Sequence, residues 1–184
     1  MGEALLRRAL SDRDIESEVA SAGLLESGTP SPIEVVSAMA TRGIDVTGRT
    51  SHQLTLDDVE AADLILTMER AHLRHVVVLV PKAVEKTFTL KELVRRGEAI
   101  GRRGRNETPV AWLACVNDGR ELADLQGRSN SDDVEDPYGQ ELERYEAARD
   151  ELDGLIGGLV DLLWPIASET ELCRPRAERP DSTA

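Results

Sequence analysis

The stretch ADLILTMERAHLRHVVVL, residues 62–79, decides the fold of this chain. Its first seven residues form a short apolar run between polar flanks, which is typical of a strand buried in a parallel sheet. From Glu69 to about Leu79 the spacing of the apolar residues changes to that of a helix. A buried strand that is followed at once by a helix indicates an α/β domain.

The rest of the chain repeats this alternation of strand and helix. Two further segments have strand patterns, residues 15–21 (IESEVAS) and residues 86–90 (KTFTL). Helical patterns occupy residues 2–10, 32–43, 55–62, 91–100, 107–116 and 140–164. We therefore predict an α/β fold, a three-layer sandwich in which a small parallel sheet lies between helices.

Composition along the chain predicts where the domain ends. We expect one domain over residues 1–164, with a long polar loop at residues 120–139 that contains several turn-forming residues. Residues 165–184 are rich in Pro, Arg, Glu and Ser and have no periodic pattern. We predict that this last segment is a disordered tail.

Charge and hydropathy disfavour several classes of partner. The chain has 184 residues and a formal net charge of −13, which opposes binding to nucleic acid or to an anionic membrane surface. No apolar run approaches the length that crosses a bilayer, and charged residues near Met1 argue against a signal peptide. The two cysteines, Cys115 and Cys173, lie far apart, so we expect no disulfide framework and a cytoplasmic location.

The sequence predicts no metal site and no other cofactor. His72 and His75 are three residues apart and could share one face of a helix. The sequence places no further ligands beside them, and a metal would need such ligands. We interpret both as histidines of a helix surface.

Six segments, taken in order, resemble the low-molecular-weight protein tyrosine phosphatase family in its bacterial branch. They are EALLRRAL (3–10), VASAGLLESGTPSP (19–32), GIDVTGRTSHQLT (43–55), ADLILTMERAHLRHV (62–76), KTFTLKEL (86–93) and DDVEDPYG (132–139). The resemblance covers residues 2 to about 164. It implies a four-stranded parallel sheet flanked by helices, and hydrolysis of phosphate monoesters on tyrosine in a phosphorylated protein or a small phosphate-bearing substrate.

The family's nucleophile is a cysteine in a C-x5-R loop between the first strand and the first helix, followed by the run S-P-M-A-E-A-L-L. Residues 1–6, MGEALL, resemble that run from its methionine onward. We therefore expect the printed sequence to lack the first, central strand and the phosphate loop, because of a late start site, and to be inactive as printed. A non-catalytic binding pseudophosphatase and an arsenate reductase-like or phosphoarginine phosphatase relative are the alternatives.

The resemblance also implies roles for single residues. Asp136 matches the general acid, and Tyr138 matches an aromatic residue that lines the substrate cleft. Without the resemblance, the same residues would be interpreted as an ordinary turn, since Asp-Pro is common in turns. Ser21 matches a serine that supports the phosphate loop. Arg49 stands where the family has a histidine, and His52 where it has an arginine, so we expect an altered network behind the loop.

Cysteine spacing argues against a substitute nucleophile near residue 115. In CVNDGR (115–120) the arginine follows the cysteine by five positions, whereas the motif requires six. The segment also lies in or just after a predicted helix, with no strand to present it. We interpret Cys115 as a half-buried structural cysteine. Cys173, in the polar tail, is a weaker candidate for the nucleophile than Cys115.

Overall fold

The computed structural model describes residues 1–120 and 131–165. The strands in those ranges are β1 (Ile65–Thr67) and β2 (Thr87–Thr89). The helices are α1 (Gly2–Ser11), α2 (Ile33–Ala40), α3 (Leu56–Ala61), α4 (Arg70–Leu79), α5 (Leu90–Ile100), α6 (Pro109–Asn117) and α7 (Leu142–Leu163). The predicted helices are confirmed, with boundaries that differ by a few residues. Residues 166–184 of the predicted tail and residues 121–130 of the predicted loop lie outside the described residues.

The stretch at residues 62–79 folds as a strand and a helix, as predicted. β1 and β2 are parallel, and Leu66 faces Phe88 at the centre of their register. α4 and a 3-10 helix, Pro81–Lys86, connect the two strands. All three residues of β2 are buried, which agrees with its apolar surroundings between helices. The α/β fold with a small parallel sheet is thus confirmed.

Residues 15–21 are not a strand, and that prediction is wrong. Ile15 and Val19 are half-buried and pack against the core, while the three residues between them, Ser17 included, are exposed, so burial does not alternate along this segment as it would in a strand. A strand also needs a neighbouring backbone to bond with. The nearest bridge of this kind lies just beyond the segment, where Gly23 pairs with Gln53.

Threonines fix the starts of three helices. Thr55 and Asp58 form a reciprocal capping box at α3, as the acid-rich start of that segment predicts. The side chain of Thr89 caps α5, so the strand β2 leads into the helix without a loop. Thr108 caps α6, whose first residue is Pro109.

The core consists mainly of aliphatic side chains from several helices that pack against α7. α7 packs against α1, α2 and α5. Trp112 and Phe88 are the largest side chains that are completely buried in the described part of the chain. The ring of Trp112 lies directly against Gly97 of α5, where a Cβ atom would meet it at 2.8 Å. This contact lets the indole ring of α6 pack directly on the backbone of α5.

A buried ion pair joins α5 to Arg120, three residues after the end of α6. Arg120 makes two hydrogen bonds of 2.9 Å to the carboxylate of Glu92, and both side chains are almost completely buried. The guanidinium also lies 4.3 Å from the ring centroid of Phe88 and donates to the carbonyl of Val84. Because each nitrogen of the guanidinium has an acceptor, the charges can remain inside the fold.

Candidate functional site

Three segments meet at the carboxyl edge of the small sheet. Met68, which follows β1, lies against the first turn of α1, since a Cβ atom on Gly2 would be 3.3 Å from its Cε. The carbonyl of Met68 accepts a hydrogen bond of 2.8 Å from the amide of Val134. The loop of residues 132–139 and the start of α1 therefore meet at the edge where open α/β sheets bind ligands.

The loop begins at a buried carboxylate that two arginines hold. Asp132 is only 6% exposed, and its Oδ2 lies 2.7 Å from Nη2 of Arg70 at the start of α4. Arg95 of α5 binds the same carboxylate with both Nε, at 3.2 Å, and Nη2, at 2.9 Å. The sequence analysis assigned no role to any of these residues.

The next residue ties the loop to the same two helices. Oδ1 of Asp133 accepts a hydrogen bond of 2.8 Å from the backbone N–H of Arg70, one of the free donors at the start of α4. The carbonyl of Asp133 accepts one of 2.7 Å from Nζ of Lys91 in α5. Lys91 also forms an ion pair with Glu151 of α7. The start of the loop is thus fixed to three helices.

Further along the loop, a turn presents Asp136 to solvent. Pro137 is buried, whereas Asp136 and Tyr138 on either side of it are exposed, Tyr138 by 76%. Oδ1 of Asp136 accepts the backbone N–H of Tyr138 at 3.0 Å, which stabilises the turn. The hydroxyl of Tyr145 in α7 accepts the amide of Gly139. The proline anchors the turn while the carboxylate faces outward.

A second polar cluster surrounds the first turn of α1. The hydroxyl of Ser21 donates to the carboxylate of Glu3, and Nη1 of Arg49 lies 2.5 Å from the other carboxylate oxygen. Arg7 lies 2.7 Å from that same oxygen. The pKa of Glu3 is lowered: partial burial alone would raise it, but hydrogen bonds from Ser21 and Arg49 favour the carboxylate more strongly.

The two positions that depart from the family pattern are both engaged in this region. Arg49 joins the cluster around Glu3, so the network here is ionic. His52 forms a hydrogen bond of 2.9 Å with Asp58, which forms the capping box of α3 together with Thr55. One open cleft of about 560 Å³ in this region is lined by Glu3, His52 and Asp58, together with Arg7, Val19 and Ser21.

The predicted site residues lie in two neighbouring groups. The contacts of Ser21 lead to Glu3 in α1, whereas those of Asp136 lead to Tyr138 within the loop. The two groups are linked through the contact between Gly2 and Met68. Glu3 and Asp132 were missed because their partners are distant in sequence; the acidic pair at 132–133 was the available signal.

Cys115 does not line the described cleft. Cys115 is half-buried in α6, with its Sγ 4.0 Å from a carboxylate oxygen of Glu107. This placement agrees with a structural role. Cys173 and Arg179 do have the C-x5-R spacing, a signal that the sequence analysis overlooked. Both lie outside the described residues, and the sequence before them, residues 166–172, lacks the apolar run of a buried strand.

The described residues contain no group of three or more His, Cys, Asp and Glu side chains that could hold a metal ion. On α4, His75 is exposed and His72 is half-buried, as the interpretation of surface histidines requires. Over residues 1–120 and 131–165, no helix has both the length and the apolar character needed to cross a membrane.

Comparison with protein families gives one match. The family model described as low molecular weight phosphotyrosine protein phosphatase matches residues 1–100. A protein-arginine-phosphatase of Geobacillus stearothermophilus is 30% identical over 147 residues, which are 79% of this chain and 76% of that protein. A probable low molecular weight protein-tyrosine-phosphatase of Ralstonia solanacearum is 39% identical over 93 residues, or 50% of this chain and 62% of that protein.

Solved structures show the same likeness. The low molecular weight protein tyrosine phosphatase of T. tengcongensis is 29% identical, with a TM-score of 0.64 over 88% of each chain. The YwlE arginine phosphatase of Geobacillus stearothermophilus is 28% identical, with a TM-score of 0.60. The alignment with that enzyme covers 87% of this chain and 80% of the other.

Proposed function

The chain belongs to the low-molecular-weight phosphotyrosine protein phosphatase family, and from this membership we propose that it serves the hydrolysis of phosphate esters on tyrosine, with Asp136 as the general acid. The observation that carries the proposal is the exposed turn of Asp136 and Pro137 at the carboxyl edge of the sheet, beside the start of α1. An outward-facing carboxylate at that edge can reach a bound substrate.

In the reaction we propose, the nucleophile is the thiolate of the phosphate-loop cysteine that the family resemblance implies. This thiolate attacks the phosphorus atom, and the bond between phosphorus and the tyrosine oxygen breaks. Asp136 gives its proton to the departing oxygen. A water molecule then loses a proton to the Asp136 carboxylate and attacks the phosphorus, which releases inorganic phosphate and the thiolate. We do not assign the thiolate to Cys115, because that residue lies in α6 and does not line the cleft.

The proposed substrate is a phosphorylated protein or a small molecule that bears phosphate, in a bacterial cytoplasm. Tyr138 is exposed beside the general acid, where its ring could lie against the substrate's aromatic group. The net charge of −13 opposes a polyanion such as nucleic acid as substrate.

A second candidate is hydrolysis of phosphoarginine. The match to the arginine phosphatase extends over 147 residues of this chain, whereas the match to the Ralstonia tyrosine phosphatase extends over 93. A departing guanidine also needs a proton, so Asp136 would keep the same role. The ratio of kcat/KM for phosphoarginine and phosphotyrosine separates the two candidates.

We call the protein translated from the first in-frame start codon of the gene, wherever that codon lies, the complete gene product. We predict that Asp136→Asn in this protein lowers kcat for phosphotyrosine by about 10²–10⁴-fold, the usual contribution of a general acid. The matched control is Glu135→Gln, which removes an exposed carboxylate one residue earlier. We expect this control to retain activity within about twofold, because Glu135 is not assigned to the chemistry. Absence of turnover with phosphotyrosine, phosphoarginine and p-nitrophenyl phosphate would contradict the proposed function.

Cysteine variants locate the nucleophile in the same assay. We expect Cys115→Ser to keep full activity, and residues 1–184 alone to give no turnover. Loss of activity in Cys115→Ser, at unchanged stability, would show that the structural role assigned to this cysteine is wrong. Turnover by residues 1–184 that disappears in Cys173→Ser would instead place the nucleophile in the segment 166–184.

A further inference from the structure

The loop that carries Asp136 starts at the buried carboxylate of Asp132, and we infer that Asp132 is a positioning residue, held by Arg70 and Arg95, that sets where the general acid lies. The inference rests on the role proposed above for Asp136. It assigns a purpose to three residues whose types and spacing in the sequence gave no sign of a common task.

The contacts around Asp132 are those of a built ionic clamp. Its carboxylate is buried between α4 and α5, where an unpaired charge would be strongly destabilising. Arg95 binds it with two N–H groups and Arg70 with one, so both oxygens are engaged. Paired geometry of this kind restricts direction as well as distance. The clamp therefore orients the chain that leaves Asp132.

The two residues after Asp132 are fixed as well. The side chain of Asp133 accepts a hydrogen bond from the first amide of α4, and its backbone carbonyl accepts one from the ammonium group of Lys91. Val134 is buried and donates to Met68. Only Glu135 separates this fixed part from Asp136, and two residues of chain span about 7 Å at most. The position of the general acid therefore depends on this fixed part of the loop, of which the clamp is the first contact.

The site of the clamp connects it to the substrate side of the sheet. Met68 contacts both the loop and α1. Its carbonyl accepts a hydrogen bond from Val134, and its side chain lies against Gly2 at the start of α1. Met68 thus connects the loop that begins at the clamp to the start of α1. Displacement of a reacting group by as little as 1 Å can reduce a rate by about 100-fold.

The chain offers a matched control in the ion pair of Glu92 and Arg120. This pair is also buried, involves the same two chemical groups and also connects α5 to another part of the fold. Its other contacts, however, are with Val84 and Phe88 and not with residues 132–139. Glu92→Gln should therefore weaken the fold without moving the loop.

The first experiment measures hydrogen exchange in residues 1–184, which requires no activity. In Asp132→Asn we expect the amides of Val134 and Tyr138 to exchange about tenfold faster than in the unmodified chain. In Glu92→Gln, compared at equal free energy of unfolding, we expect less than about a twofold change at these amides. Arg95→Gln, at a partly exposed position, is the milder variant if Asp132→Asn fails to fold.

The second experiment measures kcat and KM of the complete gene product with two leaving groups. A displaced general acid matters most when the departing oxygen is strongly basic. We expect Asp132→Asn to lower kcat about 10–100-fold for phosphotyrosine, with KM nearly unchanged, and by much less for p-nitrophenyl phosphate. Glu92→Gln should change kcat equally for both substrates.

The two experiments separate the clamp from the proposed function. If Asp132→Asn and Arg95→Gln behave like Glu92→Gln in both exchange and leaving-group dependence, the positioning role is wrong. If the complete gene product hydrolyses no phosphate ester, the proposed function fails, while hydrogen exchange still decides whether Asp132 fixes the loop. Faster exchange without any leaving-group dependence would overturn the link between Asp132 and Asp136.

Discussion

The carboxylate of Asp58, which lines the 560 Å³ cleft, accepts several hydrogen bonds. Its Oδ2 accepts the backbone N–H of Thr55 at 2.8 Å and the Thr55 hydroxyl at 2.6 Å, and it contacts Nε2 of His52 at 2.9 Å. These bonds, those from Thr55 above all, lower the pKa of Asp58 to about 2. Since the folded pKa lies below the unfolded value of 3.8, ionised Asp58 stabilises the fold.

This contribution should be complete above pH 5 and disappear as the pH falls through about 2. We predict that Asp58→Asn is less stable than the unmodified chain at pH 7 and that the difference becomes smaller between about pH 4 and 2. Urea unfolding at several pH values measures this difference. The control is Asp57→Asn, one residue away in the first turn of α3. A difference that stays constant down to pH 2 would contradict the assignment.

Single residues could be predicted from the sequence only where a local motif identifies them. Asp136 and Pro137 form a turn that a four-residue window already indicates, and the capping box at Thr55 is equally local. The partners of Asp132 are 62 and 37 positions away, and no periodic pattern relates them. Such ion pairs arise from tertiary packing, so they become visible only once the helices are in place.

Among the elements, α5 and α6 are brought together by the absence of a side chain at Gly97. A Cβ atom there would lie 2.8 Å from Cη2 of Trp112 and 2.9 Å from Cδ1 of Leu162. Helix propensity alone would favour alanine at this position by about 1 kcal/mol. The close packing of an indole ring reverses that preference.

We predict that Gly97→Ala lowers the free energy of unfolding by about 1–3 kcal/mol, the usual effect of overpacking a core. Gly154→Ala in α7 is the matched control, because a Cβ atom there meets nothing within 4 Å. We expect this control to raise the free energy of unfolding by about 0.5–1 kcal/mol through helix propensity. Thermal unfolding of both variants tests the pair; effects of the same sign would refute the packing argument.

Helices were easier to predict than strands because their signals are repeated over several turns. α7 shows its pattern over 22 residues, and α5 begins at a threonine cap. β1 and β2 have only three residues each, and their identity rests on apolar character and on the helices that follow. The alternation of residue types at 15–21 was misleading, because Ile15 and Val19 pack against the core although this segment forms no strand.

At the scale of the molecule, the last turn of α7 is completed by Arg103, three residues after the end of α5. The backbone N–H of Arg103 donates to the carbonyl of Leu162 at 2.8 Å, and its guanidinium donates to that of Leu163. These bonds satisfy carbonyls that the last turn of a helix leaves free. The C-terminal end of α7 is therefore capped by a residue that lies before residue 166.

We propose, accordingly, that the domain ends near Trp164 and that residues 166–184 add nothing to its stability. Removing residues 166–184 should change the melting temperature by less than about 2 °C and leave the urea m-value unchanged. A chain ending at Leu155 is the contrasting control, since it loses Ile156, Leu159 and Val160 from the core. A fall of more than about 5 °C on removal of the tail alone would contradict the proposed boundary.

The packing of α1 against α7 also has a consequence for the nascent protein. Among the described helices the ribosome makes α1 first and α7 last, and Leu5 and Leu10 belong to the same core as Ile156 and Leu159. Synthesis proceeds at about 5–20 residues per second, so the apolar face of α1 remains exposed for roughly 10–30 s until α7 has been made and can pack against it. Throughout that interval, α1 offers a binding surface to chaperones.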